Sequence, residues 1–152
     1  EEAEAVVALV RDHLGLARTG PPGGASRPIG QGDRIVVTPY NAQVGLLRRV
    51  LDDAGLTDVT VGTVDKFQGR EAAVVLYSMA TSSAVDAPRG SEFLFSRNRL
   101  NVAISRARCL AYLVCTESLV NSRPTTVDQR RLLSTLCTFV EHAERSGAAD
   151  AI

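Results

Sequence analysis

Six consecutive residues, Val74-Val-Leu-Tyr-Ser-Met79, form an almost unbroken apolar run. A strand with one wet face would alternate apolar and polar positions, so this run predicts a strand buried on both faces. Such strands belong to parallel sheets covered by helices, and that requirement constrains the rest of the chain. Two arginine-bearing stretches flank the run: Thr63-Val-Asp-Lys-Phe-Gln-Gly-Arg-Glu71 before it and Asn98-Arg-Leu-Asn-Val-Ala-Ile-Ser-Arg-Ala-Arg108 after it. A polar loop at a strand end, followed by a helix closing in arginines, suits the handling of a phosphate at a sheet edge.

The other segments fit an alternation of helices and strands. Val6, Val7, Val10 and Leu14 fall at helical spacing, with Gly15 as a stop. Residues 19–32, rich in Gly and Pro, predict a flexible surface loop without regular structure. Arg34 to Val37 predicts a short buried strand. Thr38 then suits an N-cap, with Pro39 at the first helical position. The helix that follows places Val44, Leu47 and Leu51 on one face and ends near Gly55. A strand at 59–64 leads into the first arginine-bearing stretch, and 81–91 predicts another loop. Asn98 to Ala107 predicts a helix, and Leu110 to Cys115 a further strand. Thr126-Val-Asp-Gln129 matches a capping box, whose helix would bury Leu133, Leu136, Cys137 and Val140. The expected fold is one α/β domain over 1–152, with a mostly parallel sheet and helices on both faces.

Composition excludes some functions. Seventeen basic residues balance seventeen acidic ones, so the chain cannot coat nucleic acid through bulk charge. No stretch has the length of a membrane span, and Glu1-Glu2 is unlike a signal peptide, so no membrane partner is expected. Cys109, Cys115 and Cys137 are odd in number and lack metal-ligand spacing. Cys115 and Cys137 read as small core residues, which implies a reducing, cytoplasmic setting. His13 and His142 read as helix-end or surface residues, and no metal site is expected.

Neither a Gly-x-x-x-x-Gly-Lys-Ser/Thr phosphate loop nor a Gly-x-Gly-x-x-Gly occurs. The chain therefore lacks the usual means of cradling a nucleotide by itself. Gln68-Gly-Arg-Glu71 is more informative, because a glycine in a tight loop lets a backbone N–H approach a phosphate. A glutamate two residues later can accept from a ribose hydroxyl or orient a cation. Alone, the tetrapeptide reads first as a surface turn with a solvated Arg-Glu pair. Arg99 and Arg106, two helical turns apart, would share a face, with Arg108 near the helix end. Guanidinium is a planar fork that matches phosphate oxygens, although arginines also simply solvate helix faces.

Taken in order, Thr38-Pro-Tyr-Asn-Ala-Gln43, Thr63 to Glu71 and Arg99 to Arg108 resemble motifs of superfamily-one helicases. The closest group includes the nonsense-mediated-decay RNA helicase and the DNA-replication helicase–nucleases. The resemblance covers the second RecA-like domain, from about Arg34 onward. It implies that Arg106 is an arginine finger acting on the γ-phosphate of ATP. It places Gln68, Gly69 and Glu71 on the nucleotide side. Thr63, with Thr38 and Tyr40, would contact single-stranded DNA or RNA, and Gln43, Arg99 and Asn101 would couple the two sites. The family's phosphate-loop and metal-binding acidic motifs, and its Gln-x-Arg-Met-His-Pro segment, are absent. ATP and Mg²⁺ would therefore be held by a first RecA-like domain of a longer parent, and this chain alone would bind neither. The other reading of the residues is a non-catalytic α/β module that binds protein or nucleic acid.

Overall fold

The computed structural model describes residues 2–18, 25–67, 69–80, 93, 96–121, 123–124 and 126–145. They fall into two compact units, 1–80 with 101–114, and 81–100 with 115–152.

The first unit is built on a four-stranded parallel sheet. Its strands are β3 (Arg34–Thr38), β4 (Thr60–Thr63), β5 (Ala72–Ser78) and β6 (Ala107–Val114), in the order β4-β3-β5-β6. A two-residue ribbon, β1 (Ala17–Arg18) against β2 (Arg27–Pro28), lies outside it. The continuous apolar run becomes β5, whose seven residues are all buried, as its lack of alternation requires. Strand β3 is buried throughout as well. Val36, Val61, Val74, Leu76 and Val114 supply one face of the sheet. Against that face pack helix α1 (Glu2–Asp12), through Ala3, Val6, Val7 and Val10, and helix α2 (Asn41–Asp53), through Leu47 and Leu51. Burial of these aliphatic side chains is the main favourable term, about 1.5–3 kcal/mol for each fully buried one.

Helix ends follow local chemistry. Gly55 takes φ +76, and its N–H bonds to Asp52 O while Leu56 N–H bonds back to Leu51 O at 2.8 Å. That left-handed turn ends α2 where the glycine predicts. Arg48 on α2 donates to the carbonyls of Val59 and Leu56, which fixes the link into β4. His13, just beyond α1, donates from Nδ1 to Leu9 O, and Tyr112 on β6 donates its hydroxyl to Nε2, both at 2.6 Å. These bonds tie α1 to β6.

Several expectations are corrected. Thr38 is not a helix cap; it is the last residue of β3, fully buried and in register with Thr63, and Tyr40 occupies the N-cap position of α2. Strand pairing outcompetes the cap because Thr38 is still extended. Residues 25–32 are not structureless. β2 pairs with β1, a 3-10 turn spans Gln31–Asp33, and the Arg27 guanidinium grips the Asp33 carboxylate at 2.5 and 2.8 Å. That grip holds Asp33 below the ordinary carboxylate range. Arg34 follows, entirely buried, with one nitrogen donating to Gly30 O and with Nε and the other terminal nitrogen meeting no acceptor. Burial pushes its guanidinium below its ordinary value.

In the second unit, α4 (Glu117–Val120) and α5 (Val127–Arg145) are helical. The capping box is formed: Gln129 N–H donates to Thr126 Oγ1 at 3.1 Å, and Thr126 N–H to Gln129 Oε1 at 3.3 Å. Leu133 and Leu136 are buried. Cys137 and Cys115 are only half-buried, so neither is the core residue expected of it. No helix among the described residues is long and apolar enough to cross a membrane.

Candidate functional site

The residues singled out in the sequence lie at opposite ends of the parallel strands. Thr38 and Thr63 are paired at the C-terminal ends of β3 and β4, and Tyr40 follows directly. Glu71 and Arg106 immediately precede β5 and β6, at the N-terminal ends. In open α/β sheets, ligands collect outside the carboxyl ends of the strands, so the Thr38–Thr63 edge is the expected docking edge.

One segment joins the two edges. From Thr63 the chain must descend from the level of Ser78 to that of Ala72, six residues along β5 and two strands sideways. At ~3.3 Å per residue and ~4.8 Å per strand that is a path of about 22 Å. The connection contains a 3-10 turn over Val64–Phe67 and few residues more. Buried Val64 and Phe67 anchor the crossover. Lys66 folds its side chain back over Gly62, where a Cβ would meet Lys66 Cδ at 2.4 Å, and donates to Val61 O at 2.9 Å. Gly69 then takes φ +80, a left-handed turn that suits glycine, as Arg70 N–H bonds to Phe67 O at 3.0 Å. Gln68 lies outside the described residues.

At the lower edge, helix α3 (Arg97–Ile104) ends before Arg106. Arg106 N–H closes a turn onto Ala103 O, and Arg106 O accepts from Ala72 N–H at 3.0 Å. The expected helix to Ala107 is therefore cut short by capture into the sheet, and Arg106 does not share a helix face with Arg99. Arg106 Nε donates to Val102 O at 3.3 Å, leaving the two terminal nitrogens directed by that tether. The side chain is half-buried and makes no ion pair among the described residues. Arg108 is not at a helix end but in β6, where its Nε donates to Glu71 Oε2 at 2.8 Å.

At the upper edge, Gln43 donates from Nε2 to Ser78 Oγ at 3.4 Å. Ser78 gives its proton to Glu2 Oε2 at 2.7 Å, and Ala80 N–H donates to the same oxygen at 2.9 Å. Ser78 has one proton, so it can offer Gln43 only a lone pair. The amide must turn its NH₂ inward.

A family model described as "AAA domain" matches residues 1–118. The chain belongs to this AAA domain family. The AAA domain is similar to DNA polymerase alpha-associated DNA helicase A of Schizosaccharomyces pombe, 47% identical over 76 residues, covering 50% of this chain and 11% of that protein. It is similar to mouse DNA-binding protein SMUBP-2, 37% identical over 116 residues, covering 74% of this chain and 10% of that one. Mouse RNA helicase Mov10l1 matches at 35% over 102 residues, 65% of this chain and 8% of its own length. The chain thus spans about a tenth of these relatives. It has the RecA-like α/β fold, and two of these relatives are named as helicases.

The AAA domain does not gather all candidates into one place. Asn101 is exposed on the part of α3 that belongs to the first unit, whereas Arg99 belongs to the second, where its guanidinium stacks 4.1 Å from the Phe93 ring centre. Sequence reasoning missed Glu2 and Ser78, whose bond spans half of the chain, and gave Arg108 the wrong surroundings. Among the described residues no His/Cys/Asp/Glu cluster fits a metal ion, Mg²⁺ included.

Proposed function

We propose that this AAA domain is the C-terminal half of an ATP-dependent helicase or translocase. It faces ATP bound on a first RecA-like domain with its Glu71–Arg106 edge, and single-stranded nucleic acid with its Thr38–Thr63 edge. The observation that carries the reading is the short crossover from Thr63 to Glu71, anchored by buried Val64 and Phe67, which joins the two edges. A shift at one end is therefore transmitted to the other, which is what stepping along a strand coupled to hydrolysis requires. The names of the relatives, DNA and RNA helicases among them, support the same class.

In this reading Arg106 neutralises charge on the transferring phosphoryl group, acting more strongly in the transition state than on bound ATP. Its Nε bond to Val102 O holds the guanidinium plane, so little ordering is left for the reaction itself. Gly69 offers close backbone approach, and Glu71 a carboxylate for a ribose hydroxyl. Mg²⁺ and the phosphate loop are assigned to the other half. Half-buried Thr63 stands at the strand-binding edge, with buried Thr38 and Tyr40 supporting it from beneath, and contacts to backbone and base faces there give little sequence preference.

The test is Arg106→Ala in a natural protein that carries this domain with a phosphate-loop half. Strand-stimulated ATP hydrolysis should fall by about 10³–10⁵-fold, as for other arginine fingers, while ATP still binds. Arg106→Lys should rescue poorly, because it lacks the planar fork. Turnover near wild type in Arg106→Ala would overturn the reading.

A further inference from the structure

Strand β6 carries an irregularity in its pairing. Ala72 lies opposite Ala107 and Val74 opposite Leu110, so one residue of β5, Ala73, faces two of β6, Arg108 and Cys109. This is a β-bulge, uncommon between parallel strands and a device that re-aims a side chain. Here it falls at Arg108, whose guanidinium reaches back across the strand pair to Glu71. The peptide of Glu71–Ala72 is itself held against Arg106, through Ala72 N–H to Arg106 O. The backbones of Glu71 and Arg106 are therefore neighbours across the strand pair, and the Glu71 carboxylate pairs with Arg108.

The pair is about half exposed on both sides, 53% and 48%, so it contributes little to stability. Its consequence lies in which arginine the carboxylate takes. An Arg106 guanidinium paired with Glu71 would have its charge neutralised in the ground state and could not serve a phosphoryl oxygen.

We propose that Arg108 is a positioning residue that occupies the Glu71 carboxylate and so keeps the Arg106 guanidinium unpaired and available for ATP. This rests on the assignment of Arg106 as the finger.

The experiment uses the same natural protein, with steady-state ATP hydrolysis at saturating single strand. Arg108→Gln should lower kcat about fivefold, the population shift that an exposed ion pair can produce, and leave KM for ATP unchanged. Arg108→Lys should keep wild-type kcat, since a single charged donor is enough. In a Glu71→Gln background, Arg108→Gln should cost nothing further, because no carboxylate remains to capture the finger. Thermal melts establish that each variant is folded. A raised KM with unchanged kcat would mean that Arg108 merely orients Glu71 on the nucleotide, and would overturn the proposal. An unchanged kcat in Arg108→Gln, or an equal fall in both backgrounds, would overturn it as well. Arg106→Ala measured alongside separates the two levels. If it retains turnover, the finger assignment fails; if it is inactive while the Arg108 series is flat, only this proposal fails.

Discussion

Arg34→Met should stabilise the protein. The guanidinium is completely buried at the start of β3, donates one bond to Gly30 O, and leaves Nε and a terminal nitrogen without acceptors. Each unsatisfied buried donor costs about 1–3 kcal/mol, and the single charge-assisted bond returns about 1.5–3 kcal/mol. Gly30 is exposed, so its carbonyl can turn to water when Arg34 is gone. Methionine fills nearly the same length without polar atoms, leaving a net gain of about 1–2 kcal/mol once a small void is allowed for. For a chain of this size that raises Tm by about 3–6 °C. The pH dependence has a definite sign. Burial lowers the guanidinium pKa below its ordinary value, so the cost of the charged form is fully present below the folded value and is relieved only as pH rises through it. The gain from Met should therefore be constant between roughly pH 5 and 9. The assay is urea unfolding followed by far-UV circular dichroism, with Arg34→Ala as the control that leaves a cavity. A Met variant clearly less stable than wild type would mean the guanidinium is well satisfied, and the reasoning would be wrong.

Asp33→Asn tests the ribbon beside it. The Asp33 pKa is lowered chiefly by the Arg27 hydrogen bond, so its contribution is complete above the ordinary value of 3.8 and is lost as pH falls through the lower folded value. The Asn variant should lack this acid-side loss, measured as Tm against pH below about 4; parallel profiles for the two proteins would refute it. Thr126→Ala removes the Oγ1 acceptor of the α5 capping box and should cost about 1 kcal/mol of local stability, seen as faster amide exchange in the first turn of α5. Unchanged exchange there would show that the cap contributes nothing.

What could be read in the sequence was whatever depends on near neighbours. Val74 to Ser78 declares a doubly buried strand because its side chains alone fix both faces. Gly55 declares a helix stop through one backbone angle, and Thr126 and Gln129 lie within one turn of each other. Motif order was enough for the fold and the family. The misread positions depend on partners distant in sequence. Thr38 has the right chemistry for a cap, but its register with Thr63, 25 positions later, keeps it extended. The 25–33 segment has the composition of a loose loop, yet the Arg27–Asp33 pair shapes it. Arg108 reaches Glu71 across 37 positions through a bulge that no local pattern announces. Gln68 lies outside the described residues, and the candidate roles of Thr63, Tyr40 and Gln43 rest on motif resemblance and edge placement.

The bonds from Ser78 and Ala80 to Glu2 have a consequence in time. They join positions 76 and 78 residues apart, about half the length of the chain. Closing so long a loop costs chain entropy that a single carboxylate cannot offset before α1 has docked. Glu2 should therefore take its partners late in folding, after β3, β4 and β5 have paired. The Ala80 amide lies just past the end of a strand, where fraying normally makes exchange fast. Its proton should nonetheless leave only when α1 lifts from the sheet, so the end of β5 is a place to time the closing of the fold.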